Sequence, residues 1–222
     1  MQSVFQLSKR LYELVCYIIS PPVCYACRNF LQSRTILCIR CDNSIELIAP
    51  KMFPINKKYI LTVYTVSRYT EPLRPMIFAK YRSDEIVLEK LADIIWHKSV
   101  LSMVKVDYLI PIPLHWSRIV KRGFNQAEIL ANRLSFHSKI PVLNCLNRQR
   151  KTEYQVRVNH EDRAINIKKS MIALNNIEEI AGKHVMLVDD SCTTGATALE
   201  AAKILVTHNP ASINMIVACR AL

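Results

Sequence analysis

Two adjacent carboxylates, Asp189 and Asp190, are followed within a few residues by a run of small and hydroxylated side chains, Cys192 to Thr197. Carboxylates in that position accept hydrogen bonds from a diol. Thr193, Thr194 and Thr197 offer hydroxyl donors to an anion, and Gly195 and Ala196 keep the backbone open to close approach. Two negative charges beside a phosphate cradle repel a bare phosphate but suit a phosphorylated sugar, whose diol and phosphate need opposite chemistry. A second constellation lies near the start of the chain. Cys24-x2-Cys27 and Cys38-x2-Cys41 are two paired-cysteine knuckles separated by ten residues. Four thiolates at that spacing are a tetrahedral zinc set with no open coordination position, and so a structural clip rather than a catalytic metal.

Both sets need elements to position them. Lys183–Val188 is a short apolar run suited to a buried strand of a parallel sheet, which places the two acids at its C-terminal end, where open α/β sheets bind ligands. The segment after Gly195 is helical in pattern and ends near Asn209-Pro210. Its N-terminus, with unspent N–H groups and the positive end of the dipole, favours an anion. On these residues alone, a Walker-B-like strand ending in acids and a plain strand with a capped helix both stay open. A nucleotide hydrolase needs a Gly-x4-Gly-Lys-Ser/Thr loop, and three glycines in all (Gly123, Gly182, Gly195) cannot supply one.

The remaining pattern predicts an N-terminal helix over residues 3–19, stopped by Pro21-Pro22, and β-rich sequence over 59–69. Helices follow over Leu73–Lys80 and from Ser83 or Asp84 to His97. Val106–Ile112 reads as the first strand of the main sheet, with Pro111 and Pro113 breaking the ladder at its end. Lys121 to Gln126 leads into a helix with Leu130, Ala131 and Leu134 inward. Pro141–Leu146 reads as the second strand, Met171–Leu174 as a further short one and Ile213–Cys219 as the last parallel strand. Residues 148–163 are polar and basic without a period, and loops of that length in compact domains are commonly lids.

The 222 residues suffice for one α/β domain and a small appendage, with boundaries drawn at 1–50 and 51–222. Thirty Lys and Arg against 18 Asp and Glu give a net charge of +12, which favours polyanionic partners. Eight cysteines without a secretory signal point to a cytoplasmic protein with reduced thiols, and no stretch is long enough for a transmembrane segment. Cys145, Cys192 and Cys219 show no metal spacing, and Cys192, inside the loop, is the one suited to a reactivity test.

The order strand–Asp-Asp-x-x-Thr-Thr-Gly-x-Thr–helix resembles the phosphoribosyl pyrophosphate motif of type I phosphoribosyltransferases. The resemblance implies an α/β fold with a mainly parallel sheet flanked by helices. It also implies ribose contacts from Asp189 and Asp190, and phosphate contacts from Thr193, Thr194, Gly195, Ala196 and Thr197. Pyrophosphate with its Mg²⁺ would lie on residues 111–118, at Pro111, Ile112 and Pro113, and a hood would carry Arg148, Arg150 and Lys151.

Four further features narrow the likeness. They are the cysteine knuckles, Lys80-Tyr81-Arg82, Ile110-Pro-Ile-Pro113 with Arg122-Gly-Phe-Asn-Gln126, and Thr152, Gln155, Arg163 and Asn166 in the polar loop. With them the chain resembles the ComF family across nearly its full length, a family joining a small four-cysteine zinc-binding segment to a phosphoribosyltransferase domain. That family is implicated in competence, the handling of incoming DNA. The resemblance implies phosphoribosyl pyrophosphate as ligand, structural Zn²⁺, and single-stranded DNA and other competence proteins as partners. A single-stranded-DNA-binding competence factor with a non-catalytic sugar-phosphate site is the alternative, although no basic stretch of the sequence is interleaved with aromatics. The acceptor is not specified by these residues.

Overall fold

The computed structural model describes residues 21–31, 35–81, 84–148 and 170–221. The helix expected over 3–19 lies outside the described residues, as do Arg82, Arg150, Lys151, Thr152, Gln155, Arg163 and Asn166. The main sheet has five strands: β1 (Lys51–Pro54), β2 (Ile60–Arg68), β3 (Tyr108–Pro111), β6 (His184–Cys192) and β7 (Ser212–Arg220), in the order β1-β2-β7-β6-β3. β2, β7, β6 and β3 run parallel, and β1 closes one edge antiparallel to β2. A separate two-stranded pair joins β4 (Leu146–Arg148) to β5 (Met171–Ala173).

The helices among the described residues are α1 (Ile39–Asn43), α2 (Arg74–Phe78), α3 (Glu85–Lys98), α4 (Trp116–Arg122), α5 (Gln126–Ser138) and α6 (Ala196–Val206). The central strands are apolar on both faces, and each face is covered. Met186, Val188 and Ile216 pack against Leu88 and Leu91 of α3 and Leu130 and Leu134 of α5. Val185, Leu187, Ile213 and Met215 pack against Ala198, Ala201, Ala202 and Leu205 of α6, with Leu146 of β4 and Met171 of β5. The cysteine segment belongs to the first of these cores through Cys24, Leu31, Leu37, Cys41 and Ile45. Asp42 also pairs with Lys98 at the end of α3, at 3.0 Å.

Several sequence expectations are corrected. Val106–Ile112 does not supply the first strand of the main sheet, because β1 and β2 precede β3 in it. Pro111 does not break the ladder either: it sits opposite Val188, and the Ile112 N–H donates to the Val188 carbonyl at 3.0 Å. Successive amides of a strand point to opposite sides, so the N–H that Pro111 lacks belongs to the edge away from β6, where its loss costs no bond within the sheet.

Pro141–Leu146 is not the second strand. Residues 141–143 take one rung beside Leu109, and the chain then leaves to form β4 with β5. The apolar run there records burial of Leu143, Cys145 and Leu146 in an irregular segment. Trp116–Arg122 is helical, which shortens the loop expected over 111–118. Finally, β6 runs four residues past Val188, because Asp189, Ser191 and Cys192 keep their pairing with Val217, Cys219 and Arg220 of β7.

Candidate functional site

The extension of β6 decides how the two acids are displayed. Side chains alternate along a strand. Asp189 therefore falls on the face of Val185 and Leu187, and Asp190 on the face of Met186 and Val188. Asp189 is half-buried and lines an open pocket, together with Ser191 through Ala198 and Met215. Asp190 is 2% exposed and accepts a hydrogen bond from the Ser191 hydroxyl at 3.0 Å. The two acids are linked through the backbone, since the Asp190 N–H donates to Asp189 Oδ1 at 2.8 Å.

The loop turns at Gly195, whose φ of +80° is the left-handed conformation that a residue with Cβ rarely adopts. Space also requires glycine: a Cβ there would sit 2.9 Å from the ring of Phe53. Gly195 caps α6, so the pocket lies at the N-terminus of an eleven-residue helix. Thr193, Thr194 and Ala196 are exposed and Thr197 is half-buried. All five loop positions expected to bind phosphate therefore line one pocket with Asp189. Cys192 is 4% exposed, and burial, with Asp189 nearby, pushes its thiol up. That opposes the reactivity its position in the loop suggested.

Pro111, Ile112 and Pro113 lie at the end of β3, all buried, beside the end of β6. The Asn125 side chain fixes the segment that follows them. Its Nδ2 donates to the Ile112 carbonyl at 3.1 Å, while its Oδ1 accepts from the Ala127 N–H and caps α5. Arg122 reaches Gln126 at 3.2 Å, and Gly123 ends α4 at a φ of +87°. Arg122-Gly-Phe-Asn-Gln126 is thus the brace of the loop after β3. Of the expected hood residues, Arg148 is described. It is half-buried on β4, and burial lowers its pKa, with Arg118 adding to that effect while Glu200 and Asp189 oppose it.

At the other constellation, the Sγ atoms of Cys24, Cys27, Cys38 and Cys41 all lie within 4.8 Å of one another, and those of Cys27 and Cys38 are 3.7 Å apart. A tetrahedron of sulfurs about 2.3 Å from a central ion has edges of about 3.8 Å, so the set fits a tetrahedral metal. Arg28, in the position where many knuckles carry glycine, adopts a φ of +64° and donates its N–H to the Cys24 carbonyl. The Asn29 backbone N–H draws the Cys27 thiol down to about 6, whereas burial pushes Cys41 up to about 12. Arg40, hydrogen-bonded to Cys27, holds its proton more firmly for that contact. The four cysteines are positioned to bind a metal ion whose charge would let all four ionise.

Comparison with known proteins agrees with this geometry. Residues 119–222 match the family model described as "Phosphoribosyl transferase domain". "Competence protein F" of Haemophilus influenzae is 28% identical over 82% of this chain and 83% of its own length. "Competence protein ComFC" of Bacillus subtilis is 28% identical over 93% of this chain and 88% of its own. The chain is thus similar to ComF-type competence proteins over most of its length. The "DNA utilization protein YhgH" of Escherichia coli O6:H1 is a further relative, 29% identical over 71% of each chain. As in the ComF reading, a four-cysteine cluster precedes a type I phosphoribosyltransferase fold. No helix among the described residues is long and apolar enough to cross a membrane.

One arrangement had no signal in sequence order. Tyr69, Phe78 and Tyr81 form a ring ladder with centroids 6.4 and 5.9 Å apart. Arg74 lies over Phe78 at 5.8 Å and Arg122 over Tyr81 at 4.8 Å. Arg122 comes from α4, about forty residues away along the chain, so no linear scan interleaves it with these rings.

Proposed function

We propose that this chain binds phosphoribosyl pyrophosphate with Mg²⁺ and is a cytoplasmic phosphoribosyltransferase-type protein acting in DNA uptake. The observation that carries the reading is the single pocket in which Asp189, the hydroxyl-rich loop and the N-terminus of α6 converge. A phosphorylated ribose matches it: phosphate to the loop amides and hydroxyls, diol to the Asp189 carboxylate, with Asp190 buried behind it. The end of β3 and its Asn125 brace would then hold the pyrophosphate, whose charge Mg²⁺ neutralises when bound. Transfer to an acceptor would break the bond from the anomeric carbon to pyrophosphate. The chain's contribution would be positioning, with Arg148 near the departing charge. Structural Zn²⁺ at Cys24, Cys27, Cys38 and Cys41 belongs to the same proposal.

The test is calorimetric titration of phosphoribosyl pyrophosphate with Mg²⁺ into wild type and an Asp189→Asn, Asp190→Asn double variant. Binding by the first and loss in the second is expected. Failure of folded, zinc-loaded wild type to bind overturns the reading. The ring ladder of Tyr69, Phe78 and Tyr81 with its two arginines favours a second reading, contact with single-stranded DNA. Such binding would weaken steeply with salt, and salt-insensitive or absent binding removes it.

A further inference from the structure

The proposed phosphate pocket lacks one thing a phosphate requires. Its lining, Asp189 with Ser191 through Ala198 and Met215, contains one charged side chain, and that charge is negative. A bound phosphate would add further negative charge. A cation must come from outside the loop, and the register of the sheet points to its source. Met215, in the pocket wall, is the cross-strand partner of Val63 on β2, and Val63 is the partner of Lys51 on β1. The three stand in one row across the sheet, on the face that carries α6. Strands lie about 4.8 Å apart, so two steps separate Lys51 from Met215 by about 10 Å, of which an extended lysine side chain can cover more than half.

The neighbouring contact on the same face supports this. Phe53, two residues on from Lys51, presses its ring against Gly195, where an added Cβ would lie 2.9 Å from Cε1 and Cζ. The Lys51 ammonium sits over that same ring, 5.1 Å from its centroid. The loop therefore folds back across β7 toward β1, and β1 supplies an aromatic wall with a cation on it. The positive charges of Arg220 and, less strongly, Lys51 also pull down the Cys192 thiol, against the dominant effect of burial. Lys51 is exposed, so its charge is available to an incoming anion.

We infer that the edge strand β1 completes the phosphate pocket, with Lys51 as the counter-charge for the ligand's 5′-phosphate and Phe53 as the wall that holds the Gly195 turn. This rests on the phosphoribosyl reading of the site and adds a phosphate-binding residue to it. Lys51 is a specificity determinant for phosphorylated over unphosphorylated ribose, acting at the opposite end of the ligand from Arg148.

The experiment titrates ribose 5-phosphate, and separately phosphoribosyl pyrophosphate with Mg²⁺, into wild type, Lys51→Met, Lys51→Arg and Lys58→Met at low and high salt. Lys58→Met makes the same charge change on the same hairpin, at a side chain lying over the Tyr59 ring. Lys51→Met should weaken ribose 5-phosphate about tenfold and flatten the salt dependence, as expected for losing one charge-assisted contact. Lys51→Arg should restore most of both, and Lys58→Met should match wild type. The ligand-free melting temperature should be the same in all four. Wild-type binding left unchanged by Lys51→Met, or weakened equally by Lys58→Met, overturns this inference and leaves the phosphoribosyl reading standing. Wild type that binds neither ligand overturns both.

Discussion

Asp189 and Asp190 are neighbours in sequence with different surroundings. Asp189 borders the pocket and is half-buried, while Asp190 is 2% exposed on the opposite face of β6, near Cys219, whose buried thiol is pushed up to about 12. The two should separate experimentally. Asp189→Asn keeps an oxygen for the Asp190 N–H and should leave the melting temperature unchanged while weakening phosphoribosyl pyrophosphate about tenfold or more. Asp190→Ala removes a buried side chain together with its hydrogen bond from Ser191, and should cost about 1–3 kcal/mol of stability by urea denaturation. Equal effects of the two on stability would show that burial does not divide their roles. The residue types of the site were legible in sequence, because acids, hydroxyls and one glycine in that order have few uses. Their division was not, since it depends on β6 running to Cys192, and that follows from pairing with β7, whose partner residues lie 28 positions further along the chain (Cys192 with Arg220).

Among the elements, α3 and α5 cover one face of the sheet, and their apolar stripes, including Leu91 and Leu134, were readable from helical periodicity. Their polar lock was not. Asp93 of α3 meets Arg133 at 2.6 Å and His137 at 2.7 Å, both on α5, and Lys90 at 3.3 Å. Burial alone would raise the Asp93 carboxyl, but the hydrogen bonds from Arg133 and His137 outweigh it and hold the group at about 2. A depressed carboxylate stabilises the fold above its unfolded pKa of about 4, and loses that contribution as pH falls toward 2. Asp93→Asn should therefore cost roughly 2 kcal/mol at pH 7 in urea denaturation, and the deficit should shrink to about half by pH 3. A deficit that stays constant with pH would mean that packing, not charge, sets it. The same limit explains β4: its partner β5 lies across 22 intervening residues, so local pattern had nothing to pair it with.

At the scale of the whole molecule, the cysteine segment and the α/β domain share a core. Leu31, Leu37, Cys41 and Ile45 pack in the same cluster as Leu91 of α3 and Met186 and Val188 of β6, and Asp42 is tied to Lys98. The spacing of the cysteines announced a metal site, but whether the segment stands apart depends on long-range packing that spacing does not encode. A bound ion supplies folding energy to a segment too small to hold itself. Because that segment covers part of the main core, its loss should be felt beyond its own residues. Stripping the metal with a chelator, or replacing Cys24 and Cys27 by Ser, should lower the melting temperature of the entire protein by several degrees within one transition. The near-ultraviolet signal of Trp96, packed against that cluster, should move with it. Two separated transitions, with the second at the temperature of the intact protein, would show the segment to be an independent unit. Asp189 and the Gly195 loop lie on β6 and at the head of α6, and β6 itself packs in the shared core. Metal loss should therefore weaken phosphoribosyl pyrophosphate binding only at temperatures where the fold has begun to open, and not at 10 °C below the transition.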